Sequence, residues 1–228
     1  MVVGVPGVFL LCICTLTVIM AADTKVAKFP LQISFNLTIT AHQIDEAEEF
    51  PPRTRRLGIL YDYINGRARA DIEPGYEAEK IYLRRYDLKK EYMLRMPPLN
   101  DCKRSYLAEI MPYPLIPDTE YVHSDGIING KRVDYYLHTD FETRIHMYFE
   151  HDSNRPVQLV QETFTEFQNG SGSSGVSTPM LTYDFTDVVI GEPPAESFEL
   201  VEPFLHEHCD HHVSGFPYTH VFHYFVKF

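Results

Sequence analysis

The chain has 228 residues, 44% of them hydrophobic and 23% charged, with a formal net charge of −12. That length suits one substantial hydrophobic core and is short for two. The negative balance repels phosphate backbones and anionic headgroups, which argues against nucleic acid or an acidic lipid surface as the primary partner.

Val8 to Met20 is an apolar run followed by Ala21-Ala22 and Asp23, the pattern of a secretory h-region with a small-residue cleavage site. Residues 1–22 are therefore expected to be a signal peptide and 23–228 a single β domain. The competing reading is a retained membrane anchor, although the run is shorter than the ~20 residues that a span needs. After the leader is removed no transmembrane segment is expected, and the destination is secreted or extracellular, with the endolysosomal lumen also compatible. Cys12 and Cys14 leave with the leader, so Cys102 and Cys209 remain, and in an oxidising compartment two cysteines most simply pair. The competing state is two buried free thiols. Asn36-Leu37-Thr38 and Asn169-Gly170-Ser171 are glycosylation sequons if exposed.

Leu31 to Thr40 alternates without a fault, with Leu31, Ile33, Phe35, Leu37 and Ile39 on one side and Asn36 on the polar side. That predicts a half-buried antiparallel strand. Asp45 to Pro52 reads as a loop. Arg53-Thr54-Arg55-Arg56 has the form of a proprotein-processing site, but charge on the approach to a strand is the plainer reading. Leu57 to Ile72 predicts a hairpin. Asn65-Gly66 would form a two-residue type I′ turn, setting Tyr61 opposite Ala70, Tyr63 opposite Ala68 and Asp62 opposite Arg69. Its polar side would then be wet. Lys80 to Tyr86 and Glu91 to Met96 are the next strands, ended by Pro97-Pro98.

Ser105 to Asp118 is broken by Pro112, Pro114 and Pro117 and reads as a long ordered loop that crosses or caps the sheet. Lys131 to His138 predicts a strand with Val133, Tyr135 and Leu137 on the apolar side. Arg144 to Glu150 repeats the pattern with Ile145, Met147 and Phe149. Val157 to Phe167 and Met180 to Ile190 are further strands, separated by a low-complexity stretch, Asn169 to Pro179, expected to be a flexible tip. Val221 to Phe228 is aromatic enough for a last strand. No stretch keeps a helical period for twelve residues. The expected fold is mostly β, a single antiparallel half-open barrel of about ten strands with few or short helices.

Several of these pieces resemble the eukaryotic LolA-like domain proteins. They are Tyr61-Asp62 with Arg67, Arg69 and Asp71; Arg85-Tyr86-Asp87; Lys90-Glu91-Tyr92; Gly130 to Tyr136 followed by a strand, a polar turn and Pro156-Val157; and Pro193-Pro194, Phe198 and Cys209. Within that group the chain is most similar to the non-catalytic N-terminal half of counting-factor-associated cathepsin-like proteases, where a cysteine precedes Gly-Phe-Pro, as Cys209 precedes Gly215-Phe216-Pro217. Ependymin-related proteins are more distant and carry more cysteines. The resemblance implies a half-open barrel whose concave apolar face receives lipid or another hydrophobic ligand. No papain-like domain lies within the 228 residues, so the protease chemistry is not carried over.

The residues themselves point the same way. With 15 Tyr and 15 Phe, the apolar side of one thin sheet is heavily aromatic. Phe35, Leu37, Tyr61, Tyr63, Tyr135, Met147 and Phe149 either pack as ordinary core or line a ligand site. A sheet with an apolar face and no covering helix must close, dimerise or hold a ligand. Tyrosine suits the last, its ring packing on an acyl chain while its hydroxyl meets a polar group.

Histidines crowd the C-terminal part. His206 and His208, with His211 and His212, are candidate metal ligands if the segment is extended, against a solvated histidine-rich segment. Protonating the 11 histidines would cancel most of the net charge, so self-association or ligand affinity sensitive to pH is a further expectation. No Gly-x-Ser-x-Gly, His-Glu-x-x-His or phosphate-cradling loop is present, so neither catalysis nor a cofactor is expected. The expected function is binding of a hydrophobic small molecule or lipid. The other reading is an extracellular interaction module that binds a protein partner or forms a homodimer.

Overall fold

The alternating segments assemble edge to edge into one sheet. The computed structural model describes residues 26–43, 53–73, 79–116, 118–140, 143–169 and 172–216. The expected leader and the expected strand at Val221 to Phe228 lie outside them. The first meander comprises β1 (Gln32–Ala41), β2 (Thr54–Asp62), β3 (Arg67–Ile72), β4 (Lys80–Arg85), β5 (Lys90–Arg95) and β6 (Asp101–Tyr106). The second comprises β7 (Thr119–Ile128), β8 (Lys131–Thr139), β9 (Thr143–Glu150), β10 (Pro156–Asn169) and β11 (Gly172–Ile190), and β12 (Asp210–His211) follows. The spatial order is β12-β6-β5-β4-β3-β2-β1-β11-β10-β9-β8-β7, antiparallel throughout except for the parallel β12–β6 pair. The two meanders therefore meet where β1 pairs with β11, and the sheet stays open, with β7 at one edge and β12 at the other. Among the described residues the only helical turns are the 3₁₀ segments Ala195–Phe198 and His206–His208. A mostly-β half-open barrel is what the alternating pattern predicts, with twelve strands among the described residues where about ten are expected.

The β2–β3 hairpin differs from expectation in its register. Tyr61 faces Ala68, Ile59 faces Ala70 and Asp62 faces Arg67, so the loop holds four residues, Tyr63 to Gly66. Asn65 does not enter the left-handed region; Gly66 alone does, at φ 64°. The cause is Asp62, whose carboxylate accepts the Asn65 backbone N–H at 3.1 Å and its side-chain amide at 2.9 Å. This Asx-type turn outcompetes the type I′ geometry. Because the slip is two residues, every side chain keeps its face.

The low-complexity stretch also departs from expectation. Its described backbone continues the β10–β11 ladder out to Asn169 opposite Gly172. A bulge in β11 across from Ser34 and Asn36, with Asp187 at φ 50°, lets Phe185 and Val188 both join the core of the inner face.

Both faces of the sheet are covered. On the outer face Ile81, Leu83, Tyr92, Leu94 and Cys102 pack beneath Phe198, Phe204 and Cys209 of the C-terminal segment. The disulfide Cys102–Cys209 pins that segment to β6. The polar side of the β2–β3 hairpin is accordingly buried rather than wet. Asp62 is fully buried, Arg67 stacks over the Phe198 ring at 4.8 Å, and Arg69 donates to the Ser197 carbonyl at 2.8 Å. Arg69 does not pair with Asp62 but forks onto Asp71 two residues along its own strand, and Arg85 forks onto Asp87 in the same way. Arg85 also reaches the Phe198 carbonyl at 3.3 Å. Thus the Arg-x-Arg-x-Asp and Arg-Tyr-Asp pieces form a row of planar guanidinium groups, fixed by carboxylates, that binds the backbone of the C-terminal segment.

Candidate functional site: the inner face and its strap

The inner face is lined by apolar residues drawn from strands on both sides of the β1–β11 junction. They include Ile33, Phe35, Leu37 and Ile39 of β1, Ile59 and Tyr61 of β2, Met147 and Phe149 of β9, and Tyr183 and Phe185 of β11. Ala68 and Ala70 of β3 sit opposite the large side chains of β2 and leave the space above them to other parts of the chain.

That space is occupied. After β6 the chain crosses from one edge of the sheet towards the other through a strap described at residues 107–116 and 118, and its Leu107, Met111 and Ile116 join the inner core. Three prolines and the lack of a helical period keep the strap irregular, so it follows the contour of the sheet. Residues 26–30 run beside it, placing Ala27 and Phe29 in the same core. The Phe29 ring meets Phe149 at 5.1 Å and Phe185 at 6.0 Å. The two segments are stitched together by an isolated bridge between Lys28 and Leu115 and by the Phe29 N–H donating to the Pro114 carbonyl at 3.1 Å.

The strap is tied to the sheet at few points. The Tyr61 hydroxyl donates to the Pro112 carbonyl, the Leu107 N–H donates to the Lys89 carbonyl, and the Tyr63 ring meets Tyr113 edge to face at 5.1 Å. Burial pushes the Tyr61 phenol far above its ordinary range, so it remains a hydrogen-bond donor at any physiological pH. It is a polar tie in the middle of a largely apolar contact.

Six of the seven residues singled out for the apolar face are together here. Phe35, Leu37, Tyr61, Met147 and Phe149 are buried in the inner core, and Tyr63 is half-buried against it. Tyr135 is not with them. It lies on the outer face, stacked on Tyr148 at 5.1 Å and on His146 at 5.8 Å, while its neighbour Tyr136 takes the inner position opposite Met147. Adjacent tyrosines made the face of β8 ambiguous, and the apolar Val133 and Leu137 favoured the wrong assignment. The strap residues were missed as lining because an irregular segment has no period to show which side is buried.

The outer aromatic group is a closed polar chain. The Tyr135 hydroxyl bonds His146 Nδ1 at 2.7 Å, His146 Nε2 bonds Glu162 at 3.0 Å, and Ser177 donates to the same carboxylate. Burial pushes the Glu162 carboxyl up, but hydrogen bonds from Ser177 and His146 outweigh it and hold the group below its ordinary range. Asn36 is exposed on this outer side of the sheet, its amide donating to Asp187 at 2.9 Å. The side chain of Asn169 lies outside the described residues.

The histidine-rich segment is not extended at His206 and His208 but forms a 3₁₀ turn. His206 Nε2 accepts from Arg104 at 2.6 Å, which leaves Nδ1 to carry the proton toward the Tyr92 oxygen at 2.9 Å. Both nitrogens are thereby taken. Burial, with Lys90 and Arg104 nearby, pulls the His206 pKa down. His208 and His211 are exposed, and His212 stacks on Phe216. Among the described residues these four do not gather around a common point. The group that does is Asp134, His151 and Asp152, whose ligand atoms lie within 4.8 Å of one another. There His151 bonds Asp134 at 2.9 Å and Asp152 at 3.1 Å, which explains the arrangement without an ion.

No family model and no curated protein matches the chain. Among solved structures it is similar to MucB, crystallised in complex with MucA(peri). The identity is 9% and the TM-score 0.42, over 75% of this chain and 54% of that one. It is also similar to an uncharacterized conserved protein from Thermus thermophilus, at 8% identity and a TM-score of 0.46, over 78% of this chain and 90% of that one. A part of PNGF-II is similar at 8% identity and a TM-score of 0.38, over 80% of this chain and 31% of that one. The chain thus spans about half the length of the MucB chain it matches. The resemblance to the eukaryotic LolA-like proteins is one of sequence motifs alone.

Proposed function

We propose that the protein is a secreted, glycosylated and non-catalytic half-barrel that takes up a lipid or similar hydrophobic molecule on its inner face, beneath the strap at 107–118. The observation that carries this reading is the mismatch between the face and its cover. An apolar surface contributed by strands of both meanders is closed by an irregular, proline-rich segment rather than by a helix or a second sheet. Among the described residues, few hydrogen bonds tie that segment to the sheet. Segments with so few ladder bonds open at low free-energy cost relative to global unfolding. When the strap lifts, Tyr61 and Tyr63 present rings to an acyl chain and hydroxyls to its polar end. The disulfide suits an oxidising compartment, and among the described residues no helix is long and apolar enough to cross a membrane.

A second reading is favoured by the position of β7 at the edge of the sheet among the described residues, where Val122 and Ile127 are exposed; there a strand of a protein partner or of a second copy would add to the sheet. Native mass spectrometry of the purified secreted protein, with solvent extraction of the same sample, separates the two. A co-purifying apolar molecule supports the first, and an empty stable dimer supports the second.

A further inference from the structure

One end of the half-barrel has a different surface from the rest. The β2–β3 loop (63–66), the β4–β5 turn (86–89), the end of β6 and the start of the strap all meet there. The Asp87 N–H donates to the Gly66 carbonyl at 3.2 Å, and the Leu107 N–H donates to the Lys89 carbonyl at 3.1 Å. Tyr63 against Tyr113 brings the middle of the strap to the same rim. On this rim five large apolar side chains face solvent: Ile64 (63% exposed), Leu88 (51%), Tyr106 (69%), Ile110 (73%) and Tyr113 (40%). Aliphatic residues at the tips of tight turns contribute nothing to the core and are costly to hydrate together.

The charges on the rim also run against the chain as a whole. Lys89 and Lys90 flank the β4–β5 turn, and Lys28 lies over the Tyr113 ring at 5.5 Å. Of the acidic groups here, Asp87 and Glu199 pair with Arg85, and Glu192 pairs with Arg67 and the Asn65 amide, while Glu109 lies beside Ile110 in the strap. A chain with a net charge of −12 thus presents, at one end, exposed aliphatic tips, two tyrosines and three lysines.

We propose that this rim is a lipid-surface contact, with Ile64, Leu88 and Ile110 inserted shallowly, Tyr106 and Tyr113 at headgroup level and the lysines against lipid phosphates. Aliphatic tips with aromatic and basic neighbours are what an interfacial anchor requires. The acidic remainder of the surface keeps the rest of the molecule off the bilayer and orients it end-on. The contact does not depend on a ligand in the inner face, since it is read from binding to the surface rather than from cargo.

Flotation with phosphatidylcholine vesicles, with and without a minor fraction of phosphatidylserine, tests it on the purified protein. The wild type is expected to float with both, more strongly with phosphatidylserine at low salt. The triple variant Ile64→Ser, Leu88→Ser, Ile110→Ser should bind about a hundredfold more weakly, the effect of withdrawing three aliphatic groups from the interface. Leu99→Ser, exposed at the opposite end of the strands, is the control and should bind as the wild type does. Lys89→Glu with Lys90→Glu should remove only the phosphatidylserine preference. All these side chains except that of Lys90 are exposed, and circular dichroism confirms that each variant folds. Absence of wild-type flotation overturns the proposal. So does equal flotation of the triple variant, or a dimer that the triple substitution abolishes without any vesicle binding.

Discussion

Tyr61→Phe removes one oxygen atom at the point where the strap is tied to the sheet. The ring is fully buried and stays, so no cavity is created and the apolar contacts with the inner core persist. What is lost is the hydroxyl donor to the Pro112 carbonyl, and Pro112 is itself buried. Leaving a buried carbonyl without a donor costs about 1–3 kcal/mol. Urea unfolding followed by circular dichroism should show that loss as a lower midpoint with an unchanged slope. The same free energy should appear locally. The Phe29 and Leu107 amides, which bond the strap segment and its root, should exchange about fivefold to 150-fold faster with solvent. Tyr63→Phe, at a half-exposed ring, is the control and should change the midpoint by less than about 0.5 kcal/mol. An unchanged midpoint together with unchanged amide exchange in Tyr61→Phe would refute the view that this hydroxyl holds the strap down.

The other predictions concern the C-terminal segment and its partners. Replacing Cys102 and Cys209 by serine opens a loop closed over a sequence separation of 107 residues, worth about 5 kcal/mol in the chain-entropy treatment, and denaturant titration should show a loss of that order. Burial pushes the Asp62 carboxyl up, but hydrogen bonds from Arg67, Asn65 and Gln32 outweigh it and hold the group below its ordinary value. Its stabilisation is therefore complete above the unfolded carboxylate pKa, near 3.9, and is lost as pH falls through the lower folded value. Asp62→Asn should cost about 3–5 kcal/mol at neutral pH, because it takes the near charge partner from the nearly buried Arg67 and leaves only the longer contact with the exposed Glu192 at 3.4 Å, and should remove that component of acid sensitivity from pH-dependent melting curves. His206 has a depressed pKa, so its neutral form favours the fold. The stability it contributes is present above about pH 6.5 and declines as pH falls toward the folded value. His206→Gln should flatten the change in stability between pH 7 and pH 5, as read from thermal melts at the two values.

The strands were legible because each is covered on at least one side by apolar packing, which writes a period of two into the chain. β1, β4, β5, β9 and β10 begin and end within a residue or two of the alternating segments. The hairpin register was not legible from Asn65-Gly66, because a carboxylate three residues upstream captured the Asn65 N–H and shifted the pairing by two residues. The alternation of Val133 and Leu137 favours Tyr135 for the inner face, but both faces of β8 carry aromatic residues and the deciding contacts, which seat Tyr136 there, come from other strands. The strap was legible as a crossing loop from its prolines, but its buried residues were not, because irregular backbone has no repeat. The arginine row on the outer face was visible as motif residues without a role. The role appears only when the C-terminal segment, over a hundred positions away, lies across it.

A carrier of this design must accept an apolar molecule on its inner face when the strap lifts. Extraction of the purified protein into organic solvent, with mass spectrometry of the extract alongside native mass spectrometry of the intact protein, measures this most directly. The expected result is a stoichiometric lipid or similar hydrophobic molecule, retained by the wild type and less tightly held by Tyr61→Phe. A protein that is empty as purified, and that remains empty after incubation with lipid vesicles, would contradict it.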